Sequence, residues 1–212
     1  MILLIMIAIG FLIGIFSGGS LSGFGEARFR YIPLLLAGGL VQVIIFTEYV
    51  GTEPIVRELA PYLYVGALAA GLVAIYLNRH IFGMKVVFAG ALLNFIVIAI
   101  NGGSMPAREE SLRIAGTLEH VQNQHARIEA GEDVQWPQLT FADDDTRLAF
   151  LGDVLPIPSA FPAANVVSIG DVLISAGAIV AIVWVMHLRP VEKKPDPDSI
   201  KTRQRDSAPT NS

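Results

Sequence analysis

The chain has 212 residues, 53% of them hydrophobic and 16% charged, with a net charge of −4 and a mean hydropathy of +0.56. Soluble domains carry about 25% charge, so this composition points to the bilayer. The absence of cysteine excludes disulfides, thiolate metal sites, a cysteine nucleophile and a lipidated N-terminal cysteine.

Five apolar segments are read as crossings: Ile2 to Phe16, Ile32 to Tyr49, Pro61 to Leu77, Met84 to Ile100 and Ser168 to Met186. The first has no basic residue ahead of it and no small-residue cleavage site behind it, so a retained helix is expected rather than a secretory signal. Small residues recur at contact spacing, with Gly10 and Gly14 in the first segment, and Gly66 with Ala70 and Ala67 with Gly71 in the third. Such spacing marks seams where backbones approach, either inside one compact bundle or between two copies. Gln42 and Asn94 are amides within apolar segments, where they usually join helices.

With alternating helices, Arg28, Arg30, Arg79, Lys85, Arg189, Lys193, Lys194, Lys201, Arg203 and Arg205 share one side. Five arginines, spread over far more chain, lie opposite. The positive-inside rule then puts the N-terminus outside and the C-terminus in the cytoplasm. Four regions follow: a four-helix membrane part (1–101), an extracytoplasmic loop (102–167), a fifth membrane helix (168–188) and a disordered cytoplasmic tail (189–212). The expected fold is an all-α, five-helix membrane protein with one outer amphipathic helix.

Asn101 opens the run N-G-G-S-M-P where the fourth segment ends, and Gly102 and Gly103 suit a helix stop with positive φ. In the loop, Ala107 to about Ala130 reads as one amphipathic helix with Leu112, Ala115, Val121 and Ile128 near one face. His120 and His125, five apart, do not share a face as paired metal ligands would, and Asp143 to Asp145 lack the glycine-bearing frame of a calcium loop. No metal, cofactor or nucleic acid is expected; the expected partners are membrane lipids and either a membrane protein or a second copy.

Asp153 and Asp171 flank a proline-rich turn at the mouth of the last segment. Ser168-Ile-Gly-Asp171 has the form of a capping box, and Gly152-Asp153 that of a turn, although Leu151, Val154 and Leu155 frame it. The other reading is a carboxyl dyad, one member holding a proton while the other activates water. Asn94, Asn101, Gly102, Gly103 and Ser168 complete the candidate polar site, whose role is binding a small ligand, supporting a partner, or hydrolysis.

Together, N-G-G-S-M-P, F-L-G-D-V-L-P-I-P and V-S-I-G-D-V-L-I resemble a bacterial family of small multi-pass membrane proteins of unknown function, which implies the inner membrane. I-G-D-V-L-I-S-A-G, F-P-A-A-N and G-A-L-L-N are also similar to motifs of lipoprotein signal peptidase, an intramembrane aspartyl hydrolase. That likeness implies Asp153 and Asp171 as its dyad, with Asn94 or Asn101 positioning substrate. The sequence departs from the enzyme in lacking the Asp-Arg pair after the Asn94 motif, and Asn165 lies six residues before Asp171 instead of three.

Overall fold

A computed structural model describes residues 2–161 and 164–189. The tail expected over 189–212 lies, from residue 190 on, outside them. Five apolar helices carry the fold: α1 (Ile2–Phe16), α3 (Ile32–Phe46), α5 (Pro54–Leu77), α6 (Met84–Ile100) and α9 (Ile169–Met186). Short helices α2 (Gly23–Glu26) and α4 (Glu48–Gly51) sit in the connections.

The helices α5 and α9, of 24 and 18 residues, are long and apolar enough to cross a membrane. The other three are apolar but hold 15, 15 and 17 residues, about 22 to 26 Å at 1.5 Å per residue, short of a ~30 Å hydrocarbon core.

Two boundaries differ from expectation. The helix α5 starts at Pro54, a first-turn position where a proline costs no bond, and runs on through an interior Pro61, which forfeits one. The second apolar helix stops at Phe46, and Thr47 is extended before α4 begins.

The long helices form a row rather than the compact bundle expected. The main packing runs α1 on α9, α9 on α6, α6 on α5 and α5 on α3. Gly10 lies against Ile179 and Ile182, and Gly14 against Met186, so α1 and α9 are parallel and the first glycine pair is a seam within the chain. Gly38 meets Ala67 where α3 crosses α5. Gly66 and Gly71 have open space at their Cβ positions, so those two glycines are not seams here. At the end away from residues 102–167, Asn78 exchanges bonds of 2.8 Å with the backbone of Arg30, and His80 bonds the carbonyl of Arg28 at 3.0 Å. These bonds join the two loops that carry Arg28, Arg30 and Arg79.

Residues 102–167 form a cap that is not all-α, which corrects the fold expectation. Strand β1 (Met105–Ala107) pairs in parallel with β2 (Leu139–Phe141), and β3 (Leu155–Ile157) pairs antiparallel with β4 (Asn165–Val167). The single amphipathic helix is two, α7 (Glu109–Ala115) and α8 (Leu118–Glu129). Gly116, at φ +73°, ends α7 in the left-handed conformation, and the chain restarts at Thr117. Leu112, Ala115 and Val121 face inward as the periodicity predicts, packing with Ala107 and Val166, whereas Ile128 is exposed.

Candidate functional site

The first turn of α9 is the capping box read from the sequence. Ser168 Oγ accepts the Asp171 N–H at 2.9 Å, and Asp171 Oδ2 accepts the Ser168 N–H at 3.0 Å. A carboxylate here also faces the positive end of the helix dipole. Asn94, from α6, closes the arrangement: its Nδ2 donates to Asp171 Oδ1 at 2.8 Å, and its Oδ1 accepts the Ser168 hydroxyl at 2.8 Å. Ser168 is fully buried, so these bonds act where water does not compete.

The reach of Asn94 depends on two glycines. A Cβ on Gly170 would overlap Asn94 Oδ1, and one on Gly90 would overlap the Gly170 carbonyl. The amide therefore serves as a link between helices, as its place in an apolar segment predicts.

Asp153 arrives at the same end through the β3–β4 hairpin. Leu155 lies opposite Val167, so Asp153, two residues before β3, comes beside the start of α9. Its N–H donates to the Pro106 carbonyl at 2.8 Å, its carbonyl accepts the Arg108 N–H at 3.2 Å, and it bridges Ala107. The residue is only 8% exposed, and its Oδ1 has no hydrogen-bond partner among the described residues. Burial, and after it the negative charge of Asp171, push its carboxyl up to about 7. Tyr64 of α5 lies in the field of both carboxylates. The two aspartates are thus electrostatic neighbours, while both Asp171 oxygens are already engaged by Asn94 and Ser168.

Asn101, Gly102 and Gly103 do a different job. Asn101 Nδ2 donates to the carbonyls of Val97 and Arg147, each at 2.8 Å, and its Oδ1 accepts the Arg147 N–H at 3.0 Å. Gly102 and Gly103 have φ of +72° and +89°, and a Cβ on Gly103 would sit 2.8 Å from Pro61 Cβ. Asn101→Ala is expected to cost about 1–2 kcal/mol, seen as a lower unfolding midpoint, with faster amide exchange around residue 147.

The two histidines and the acidic run take structural places. His120 is exposed, and His125 bonds the Leu139 carbonyl at 3.1 Å beside Phe141. Thr146 donates to Asp143 Oδ1 at 2.7 Å in a surface turn, which lowers the Asp143 carboxyl below its ordinary value. No cluster of three or more metal-ligating side chains occurs among the described residues.

Asp171 is on the wall of an apolar crevice of about 260 Å³ between α1 and α9, with Ile2, Met6, Val172, Ser175 and Ile179. Sequence reasoning did not find this crevice, because it is made by α1 lying parallel to a helix at the other end of the chain. It also missed a cavity of about 630 Å³ where Arg57 and Pro54 meet His125 and Trp136.

The profile of a family of unknown function, DUF5317, matches residues 26–183. The chain belongs to DUF5317. An uncharacterised protein of Thermotoga maritima is 24% identical over 156 residues, covering 70% of this DUF5317 chain and 83% of that protein. No solved structure matches. The bacterial family resembled by the N-G-G-S-M-P and S-I-G-D motifs is therefore the one the chain belongs to, and these matches lend no support to the signal-peptidase likeness.

Proposed function

We propose that this DUF5317 chain is a multi-pass bacterial inner-membrane protein, with all five apolar helices crossing the bilayer and the cap outside. In that reading it binds a small amphiphile at the outer ends of α1 and α9. A belt of exposed apolar side chains on the long helices, including Phe16 at 86% and Leu36 at 68%, favours lipid contact. The shorter helices are accommodated by local thinning of the bilayer. The basic loops at the end opposite the cap favour the N-out, C-in orientation. The free outer faces of α1 and α3 leave room for a membrane-protein partner or a second copy.

The observation that carries the binding reading is the Asp171 carboxylate, fixed by Asn94 and Ser168 on the wall of an apolar crevice. That arrangement suits a ligand with an acyl-like tail and a hydrogen-bond-donating or cationic head. Mass spectrometry of the detergent-purified protein is expected to find such an amphiphile in stoichiometric amount. Ser175→Trp, at a crevice position outside the Gly10 seam, is expected to remove it. Equal retention by wild type and Ser175→Trp overturns the reading.

A second reading, an intramembrane aspartyl hydrolase, is favoured by the unpartnered Asp153 oxygen beside Asp171. Asp153 then holds the proton and Asp171 activates water. In a strain lacking the wild-type chain, Asp153→Asn made at normal levels would leave a membrane substrate uncleaved. Unchanged membrane peptides would end this reading while leaving the binding one standing.

A further inference from the structure

A concavity of about 280 Å³ lies in the cap between α8, residues 135–138 and β4. We propose that it is a binding site for one neutral pyranose ring, a site separate from Asp171 and independent of the crevice between α1 and α9. Gln124, Gln135, Gln138 and Asn165 line it together with Trp136, Thr117 and His120. Asn78, Asn94 and Asn101 are taken up by protein partners, whereas the half-buried or exposed side chains around the concavity face the space it encloses or solvent.

The chemistry of the lining narrows the ligand. An amide both donates and accepts, which matches hydroxyl groups that do the same. No Asp, Glu, Lys or Arg lines the space, and His120 is its one ionisable side chain, so an ionised ligand finds no permanent opposite charge. A wholly apolar ligand would strip water from four amides and return nothing. The Trp136 ring is held by its Nε1–H donating to the Gly103 carbonyl at 3.4 Å, and Val121 and Leu139 add apolar surface. An aromatic plane with apolar surroundings suits the C–H face of a sugar ring. The volume sits at the lower edge of the ~300–1,000 Å³ usual for small-molecule sites, which limits the occupant to a single ring.

The ring has two sources, a free sugar or the headgroup of a glycolipid, since Phe46 at the end of α3 also borders the space. The full chain in phosphatidylcholine nanodiscs, with Trp184→Phe leaving Trp136 as the reporter, is titrated with glucose, galactose and N-acetylglucosamine. A second set of discs contains monoglucosyl diacylglycerol. Calorimetry on the wild-type chain reads the same affinities without the tryptophan change.

The expected result is a saturable Trp136 signal that Gln124→Ala and Gln138→Ala weaken roughly three- to tenfold. Gln138 is exposed and Gln124 half-buried, and the unfolding midpoint is expected to stay in place. A response to the free hexoses identifies a soluble ligand, whereas a response only in the doped discs identifies a headgroup. No saturable response in either arm, affinities indifferent to both substitutions, or tighter binding of adenosine or uridine than of any hexose overturns the proposal.

Discussion

Gly90→Ala is expected to be strongly damaging for a single-methyl substitution in an apolar helix, costing about 1–3 kcal/mol or more and lowering the yield of folded protein. The added Cβ would collide with the Gly170 carbonyl and come within 2.8 Å of Leu173 Cβ. Neither can rotate away, so α6 and α9 must separate. Separation draws Asn94 back from Asp171 and Ser168, which leaves a buried hydroxyl and a carboxylate without their partner. The matched control is Gly66→Ala, where nothing lies within 4 Å of the new atom. There the change is expected to be neutral or stabilising by up to ~1 kcal/mol, from helix propensity alone. Unfolding midpoints of the two variants check the contrast, and equal effects would refute the account of the seam.

The second large effect is a slope of stability with pH that belongs to Asp153. Its carboxyl lies at about 7 in the folded protein against an ordinary 3.8. Between those values the folded chain holds a proton that the unfolded chain releases, so stability falls as pH rises. The contribution is fully present below about 4 and is lost as pH passes through about 7. Roughly three pKa units correspond to about 4 kcal/mol, as an order of magnitude. Asp153→Asn cannot ionise and is expected to lack this slope, so wild type and variant diverge with rising pH. Parallel curves from pH 4 to 9 would show that the Asp153 side chain is better solvated than its burial implies.

How much the sequence discloses depends on the separation of the residues involved. The long helices are legible because their apolar runs are continuous, and the capping box because Ser168 and Asp171 are three residues apart. The partnership of Asn94 with that box joins residues 77 apart and has no local signature. Asp153 and Asp171 are legible as a pair only by suspicion, since Pro156 and Pro158 disguise the hairpin that brings them together. Proline lacks a ladder donor, so a run of prolines reads as a turn. Gly116 is the clearest missed signal: a glycine followed by threonine both stops one helix and precedes the next, yet the apolar period continues across it. The cap concavity draws its four amides from α8, the 135–138 segment and β4, and amides carry no motif.

The row of helices has a consequence for how the protein is made. The helix α1 is synthesised before the other apolar helices described, and its main partner is α9, which is made after all of them. Between them the cap must close, because β1 needs both residue 139 and residue 153, and α9 follows directly on β4. The helix α1 therefore waits, with its glycine-bearing face uncovered, until α9 has been made. A nascent chain stopped anywhere between α1 and residue 169 leaves α1, and α6 once made, without its principal neighbour, so assembly is decided by the arrival of α9.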